Sequence, residues 1–254
     1  MIDIHCHILP AVDDGAQNVD VAIAMAKRAV EEGVTDLIVT PHAFHPQFDT
    51  KELDVRHAVD QLQRILTLEG VSLKLHPGQE IRIFGGLLDA LNDGTALTLA
   101  DSRYVLVEFP SDSVPGYAEQ LFFNMQAEGF VPIIAHPERN KEFATNPKRL
   151  VDFVSSGALS QVTTGSLVGK FGKTVQELSL LFLRNGLSQL VASDAHSVGG
   201  RTFYWDDSQV SLEKLDDPIL VDNILQNGQS VLNDTFVYVD PPIMPTKSWR
   251  GKWK

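Results

Sequence analysis

Residues 2–40 read IDIHCHILPAVDDGAQNVDVAIAMAKRAVEEGVTDLIVT, and the order of patterns inside that stretch decides the fold class. A short apolar run at 2–5 is followed by Val21, Ala22, Met25, Ala26, Ala29 and Val30 at helical spacing. Gly33 then stops the helix, and 36–40 is again strand-like. Strand, helix, strand in that order predicts a parallel βαβ unit. Working outward, the same alternation continues with strand-like runs at 73–76, 104–108, 131–135, 160–163 and 189–192. Helical patterns lie between them at about 55–68, 87–92, 118–127, 147–155 and 175–185. Seven strands in this arrangement predict an α/β fold closed as a seven-stranded, TIM-like β/α barrel.

No Pro/Gly/Ser-rich linker divides the chain, so residues 1–254 are expected to form a single domain with a C-terminal tail from about 236. Before that tail a helix is expected at 219–226, and an extended run at 236–239. The tail continues through Pro241-Pro242-Ile243-Met244-Pro245 to a basic, aromatic end over 247–254. No window reaches the roughly 18 consecutive apolar residues of a membrane span, and the N-terminus lacks the basic and apolar regions of a signal peptide. A lone cysteine, Cys6, excludes an internal disulfide and makes the reducing cytoplasm the expected compartment. The net charge of −12 argues against a nucleic-acid partner or an anionic membrane surface.

Chemistry-bearing residues collect at the strand ends. His5-x-His7 closes the first strand, where residues two apart face the same side. Asp13-Asp14-Gly15 follows in the next loop; spacing alone does not separate the two aspartates. His42 ends the second strand, Glu80 follows the third, Glu108 ends the fourth, His136 the fifth, and Asp194-x-His196 the seventh. Barrel active sites are built at that end of the strands. Imidazoles mixed with carboxylates suit manganese, iron or zinc better than calcium or magnesium. So many ligands exceed the needs of one ion, and Glu80 is the natural bridge between two. His45, His57 and His76 fit the rule less well and read as structural or surface residues, His45 being nearest the expected pocket. Asp3 reads either as a partner behind the ligands or as an ordinary hydrogen-bonding group. Arg139 and Arg201 follow His136 and His196, where a planar guanidinium matches phosphate oxygens.

The set His5-x-His7, Asp14, His42, Glu80, Glu108, His136 and Asp194-x-His196 resembles the PHP (polymerase and histidinol phosphatase) superfamily. The strings Met1-Ile2-Asp3-Ile4-His5, Gly78-x-Glu80-Ile81, Ser102-Arg103-Tyr104 and Ala192-Ser193-Asp194 narrow the likeness. They are similar to the manganese-dependent tyrosine-protein phosphatases of bacterial capsule and exopolysaccharide operons, the Bacillus type above all. The resemblance runs from residue 1 to about 232. It implies a distorted seven-stranded PHP barrel with two or three Mn2+ ions, iron or zinc being alternatives. By position it assigns His5, His7, Glu80 and Asp194 to one ion, Glu80, Glu108 and His136 to a second, and Asp14, His42 and His196 to a third. It places Arg139 and Arg201 near the phosphate and implies a tyrosine kinase tail as the phosphorylated partner.

The activity expected is hydrolysis of a phosphomonoester by a metal-activated water, with no covalent intermediate, because Cys6 lacks the Cys-x5-Arg loop of cysteine phosphatases. Asp194 and His196 are the candidate proton donors. A histidinol-phosphate phosphatase on the same barrel and a non-catalytic metal-binding module are the alternatives. Phe44, Phe48, Phe84 and Phe109 are candidates to flank an aromatic substrate ring.

Overall fold

The computed structural model describes residues 1–247 and Trp253. β1 (Ile2–Cys6) is buried along its whole length, as expected of a parallel strand covered on both faces. It leads to α1 (Val19–Glu31), which begins where the Asn18 side chain accepts the Val21 N–H at 3.0 Å. That helix buries Ala22, Met25, Ala26 and Ala29, and it stops beside Gly33, whose φ of 84° requires a residue free of a Cβ. Then follow β2 (Asp36–Val39), β3 (His42–Ala43), α2 (Glu52–Leu68), β4 (Lys74–Pro77), β5 (Glu80–Arg82) and α3 (Leu87–Asn92). The middle of the chain holds β6 (Tyr104–Glu108), α4 (Ala118–Ala127), β7 (Val131–Ala135), α5 (Lys141–Thr145), α6 (Lys148–Ser155) and β8 (Leu159–Thr163). The chain continues with α7 (Thr164–Leu167), α8 (Lys173–Arg184), β9 (Leu190–Ala192), α9 (Trp205–Leu212) and α10 (Pro218–Leu232).

Every ladder is parallel, so the molecule has a mixed α/β fold with parallel sheets, as the alternating pattern predicts. The pairing is not the single closed ring of seven strands expected. It gives a three-stranded sheet, β1-β2-β4, and a six-stranded sheet, β3-β5-β6-β7-β8-β9. The cause lies in two interruptions. Pro41, which has no N–H to give, separates β2, where the second strand was expected, from the unexpected short β3. Gly78-Gln79 likewise separates β4, where the third was expected, from the unexpected β5; a Cβ at Gly78 would meet Ile38 Cγ2 at 2.9 Å. The two sheets meet again where Asp194 N–H donates to His5 O at 2.8 Å and His7 N–H to Ala195 O at 2.9 Å. Only an isolated bridge, Cys6 to Ala195, forms there.

Three short helices, α5, α7 and α9, were not expected from the sequence, whereas the helix expected at 219–226 is longer, Pro218–Leu232. Asp217 caps it by accepting Leu220 N–H, with Pro218 in the first turn. The run at 236–239 forms no strand, though Tyr238 N–H donates to Asn227 Oδ1 at 3.1 Å. Of the basic aromatic end, 248–252 and Lys254 lie outside the described residues. Trp253 is held by its Nε1–H donating to Ala144 O at 3.1 Å.

Candidate metal centre

The strand ends converge on a cavity of about 310 Å³ lined by Asp14, His42, Glu80, Glu108, His136, Arg139, Asp194 and Arg201 among others. His5 sits inside β1 and His7 just beyond it, so both rings leave the same side of the strand. Glu80 is not in a loop, as expected, but opens β5, paired directly across from His42 at the start of β3. His136 and Asp194 turn sharply out of β7 and β9, with left-handed φ of 35° and 52°. Such conformations are rare for residues with a Cβ and persist where surrounding contacts hold them. Asp194 is held by its own N–H on His5 O and by Ser193, whose N–H donates to Asp3 Oδ1 at 3.0 Å. Asp3, fully buried, also accepts the Trp205 Nε1–H at 3.0 Å, so it braces the strand ends from behind.

Four donor atoms form the deepest group. His5 Nε2 lies 3.2 Å from His7 Nε2, 3.5 Å from Glu80 Oε2 and 3.3 Å from Asp194 Oδ1. His7 Nε2 lies 3.3 Å from Glu80 Oε2 and 3.4 Å from Asp194 Oδ1. Ligands bonded to one ion at about 2.0–2.2 Å stand about 3.3–3.6 Å apart, so His5, His7 and Glu80 fit three donors around one ion, with Asp194 Oδ1 close to both imidazoles. The hydrogen bonds behind the rings support the same reading. His7 Nδ1–H donates to Asp13 Oδ2 at 2.7 Å. His5 Nδ1–H donates to Gln161 Oε1 at 2.9 Å, the amide orientation being set by Gln161 Nε2–H on Val162 O. Both Nε2 atoms therefore present lone pairs, facing two buried carboxylate oxygens that accept no hydrogen bond among the described residues. Lone pairs and anions packed this closely repel unless a cation stands among them.

A second group lies at the rim. Asp14 Oδ1 stands 3.4 Å from His42 Nε2 and 3.3 Å from His196 Nε2. The His196 Nδ1–H is held by Asp194 O at 2.9 Å, which again leaves Nε2 as the free face. Glu80 and Glu108 form a third group, and the histidine whose donor completes it within 4.8 Å is His42. The resemblance also assigns His136 there, and its Nε2 stands 2.8 Å from Glu80 Oε1. Glu108 Oε2 also meets Arg82 at 3.1 Å, an arginine no strand-end pattern singles out.

Charge accounts for the protonation states. Burial acts to raise Glu80 and Asp194, but neighbouring histidines and, for Asp194, Arg139 outweigh it and hold both well below the carboxylate range. Burial lowers His42, but Glu80 and Asp14 outweigh it and lift it to about 10. His7 moves the same way, lifted chiefly by Asp13 against its burial. Burial, with the charge of Arg139, pushes His136 down to about 4. The acidic cluster thus demands positive charge, supplied by protons on His7 and His42 or by metal ions that displace them.

Arg139 and Arg201 meet on one atom: their Nη2 atoms lie 2.6 and 2.9 Å from Asp194 Oδ2. Arg139 does not take Glu138, whose carboxylate instead accepts the Thr163 N–H at 3.0 Å. Asp194 therefore turns one oxygen to the imidazoles and the other to two guanidiniums, and both arginines line the cavity. His45 stacks on His42 with ring centres 5.0 Å apart and lines the same cavity, as does Phe48. Phe44 and Phe84 stack on each other at 4.5 Å, outside that lining, and Phe109 is buried against Phe122, Phe143 and Phe153. His76 pairs with Asp36 at 2.9 Å, away from the centre. Sequence reasoning left Asp13 and Asp14 unseparated, and it missed Gln161, which was signalled only by being polar within a buried strand.

The sequence profile of the capsular polysaccharide synthesis family CpsB/CapC matches residues 1–233. The chain is 44% identical over 242 residues to the tyrosine-protein phosphatase YwqE of Bacillus subtilis, covering 95% of each. It is 36% identical over 258 residues to the putative tyrosine-protein phosphatase CapC of Staphylococcus aureus, covering 99% of this chain and 98% of CapC. A crystal structure reported for YwqE of Bacillus subtilis and CpsB of Streptococcus pneumoniae, described as unique metal-dependent tyrosine phosphatases, matches with TM-score 0.93. That match is at 44% identity and covers 95% of this chain and 98% of that one. Extent and identity together decide the question: this chain belongs to the CpsB/CapC family of capsular polysaccharide synthesis.

Proposed function

We propose that this protein is a metal-dependent phosphatase that removes phosphate from tyrosine side chains of proteins. The observation that carries the reading is Asp194, which faces the deep nitrogen donors with Oδ1 and two arginines with Oδ2. An ion site and a phosphate site are thereby joined through one carboxylate. His5, His7, Asp14, His42, Glu80, Glu108, His136, Asp194 and His196 are the residues we assign to two or three ions. Manganese is our choice for a set this rich in imidazole, with iron or zinc as alternatives. When bound, such ions activate water and neutralise phosphate charge.

The chain's own groups do the rest. Arg139 and Arg201 can take non-bridging oxygens in a planar fork and hold phosphorus over the centre. Asp194 and His196, the expected proton donors, are not set up for that role. Asp194 is ionised, and His196 is lowered by burial and by His7, with its only ring proton bound to Asp194 O. Without a donor at those positions, the leaving group must depart largely by its own stability. A phenolate, whose conjugate acid has a pKa near ~10, does so more readily than the alkoxide of serine or threonine. The preference for phosphotyrosine then follows from the protonation states of the site.

The same reading gives a tyrosine kinase of the polysaccharide system as the source of the phosphorylated tail, and the cytoplasm as the compartment. Among the described residues no helix is long and apolar enough to cross a membrane. The two sheets are read as parts of one distorted seven-stranded PHP barrel, supported by the bonds between Asp194, Ala195 and β1. The test is kcat/KM with Mn2+ for a phosphotyrosine peptide against phosphoserine and phosphothreonine peptides and histidinol phosphate. Phosphotyrosine should lead; a histidinol phosphate value equal to or above the peptide's would move the protein to the small-molecule branch.

A further inference from the structure

We infer that Asp13 and Gln161 are positioning residues that hold His7 and His5 as Nδ1–H tautomers, and that Asp13 also couples the deep group to the rim. The inference rests on the metal assignment above. Each imidazole can carry its single proton on either ring nitrogen, and only the Nδ1–H form presents Nε2 to the centre. The partners that choose the tautomer differ in kind. Gln161 is a neutral amide, fully buried, whose side chain among the described residues bonds only to His5 Nδ1 and to Val162 O, so its influence ends at His5.

Asp13 reaches further. Its Oδ2 accepts both the His7 Nδ1–H at 2.7 Å and the His42 backbone N–H at 3.1 Å, and its Oδ1 accepts the Gly15 N–H at 2.9 Å. One carboxylate therefore fixes the ring of His7, the backbone of His42, and the loop that carries Asp14. Gly15 allows this folding: a Cβ there would meet His7 O at 2.0 Å, so no other residue lets the loop lie on His7. His7 is grouped with His5 and Glu80 in the deep set and also with Asp14, His42 and His196 at the rim. A carboxylate behind a ligating imidazole also makes that nitrogen a stronger donor than an amide does, and losing such a partner weakens metal binding by about 10- to 100-fold.

The variants Asp13→Asn and Gln161→Leu separate the two roles. In Asp13→Asn one side of the group becomes an NH2, which cannot accept from both Gly15 and the pair His7 and His42. Binding of Mn2+ and Zn2+ to the full chain is measured by competition with a chromophoric chelator, with elemental analysis for stoichiometry. Asp13→Asn should weaken two bound ions by about 10- to 100-fold each, whereas Gln161→Leu should weaken one and leave the other as in the wild type. In the wild-type protein loaded with diamagnetic zinc, 15N NMR should find ring protons on Nδ1 of both His5 and His7, a readout independent of whether any variant folds. A proton on Nε2 of either ring overturns the inference, as does unchanged affinity in both folded variants. So does equal loss at one ion only in both. A wild-type protein that binds no metal overturns the proposed function itself, which is a different result from any of these.

Discussion

The deep half of the centre and its rim are made of the same residue types and differ in their surroundings. His5, His7, Glu80 and Asp194 are at most 3% exposed, and the ring nitrogens turned away from the centre are tied to Gln161 and Asp13. At the rim, the Asp14 side chain is 44% exposed, and His42 stacks on His45 while its Nδ1 stands 3.0 Å from Glu80 Oε2. Closed, fully ligated sites hold ions, while open ones leave positions for water and substrate. The comparison teaches that one set of residue types can sit in unequal surroundings within a single cluster, with Asp14 the open member.

Stripping the metal should break the comparison altogether. Excess EDTA is expected to abolish phosphatase activity, and Mn2+ should restore it better than Mg2+. Full activity in EDTA, with no metal retained by elemental analysis, would show that neither half binds ions. Next in size are single carboxylates. Asp194→Asn removes an anionic ligand and the anchor of both arginines, so kcat should fall by on the order of 10³-fold or more and the deep ion should be lost. Asp14→Asn should cost about 10- to 100-fold in affinity for one ion and keep the deep one. Equal metal loss in the two variants would erase the distinction between deep and rim.

The arginines test the other face of Asp194. Arg139→Ala and Arg201→Ala should leave metal content intact and lower kcat/KM by roughly 10- to 1000-fold. Arg139, the less exposed of the two, should show the larger effect. Wild-type kinetics in both variants would make them surface residues. The smallest effect is in pH. His42 carries its proton up to about 10 in the metal-free protein and must lose it to bind an ion. Each such proton is released on binding, so Mn2+ affinity should rise with pH from 6.5 towards 10, by up to about tenfold per unit. Competition titrations at several pH values check the sign; an affinity that falls as pH rises would remove His42 from the ligand set.

Legibility in the sequence followed the range of the interactions. Strand and helix order was readable because apolar spacing reports which face of each element is covered, and β6 and β7 fall where that spacing put them. The expected second and third strands ended at 40 and 76, and the short β3 and β5 beyond Pro41 and Gly78-Gln79 were not read. Whether such a residue ends a strand or only bends it depends on the neighbours it pairs with. The short helices α5, α7 and α9 carry too few turns for a repeat to show.

The site divides in the same way. By itself the sequence determined the donor inventory and its placement at strand ends, because side-chain chemistry and strand order are local properties. Only the tertiary structure decided which donors meet: His42 grouped with Glu80 and Glu108, His136 on the other oxygen of Glu80, and both arginines on one oxygen of Asp194. It also decided that Asp13 stands behind His7 and Gln161 behind His5, and that His196 turns Nδ1 to Asp194 O. Tautomers and protonation states come from charges and hydrogen bonds between residues as far as 156 positions apart, such as His5 and Gln161. No local pattern records them, because the field at an atom is the sum over everything the fold brings near it.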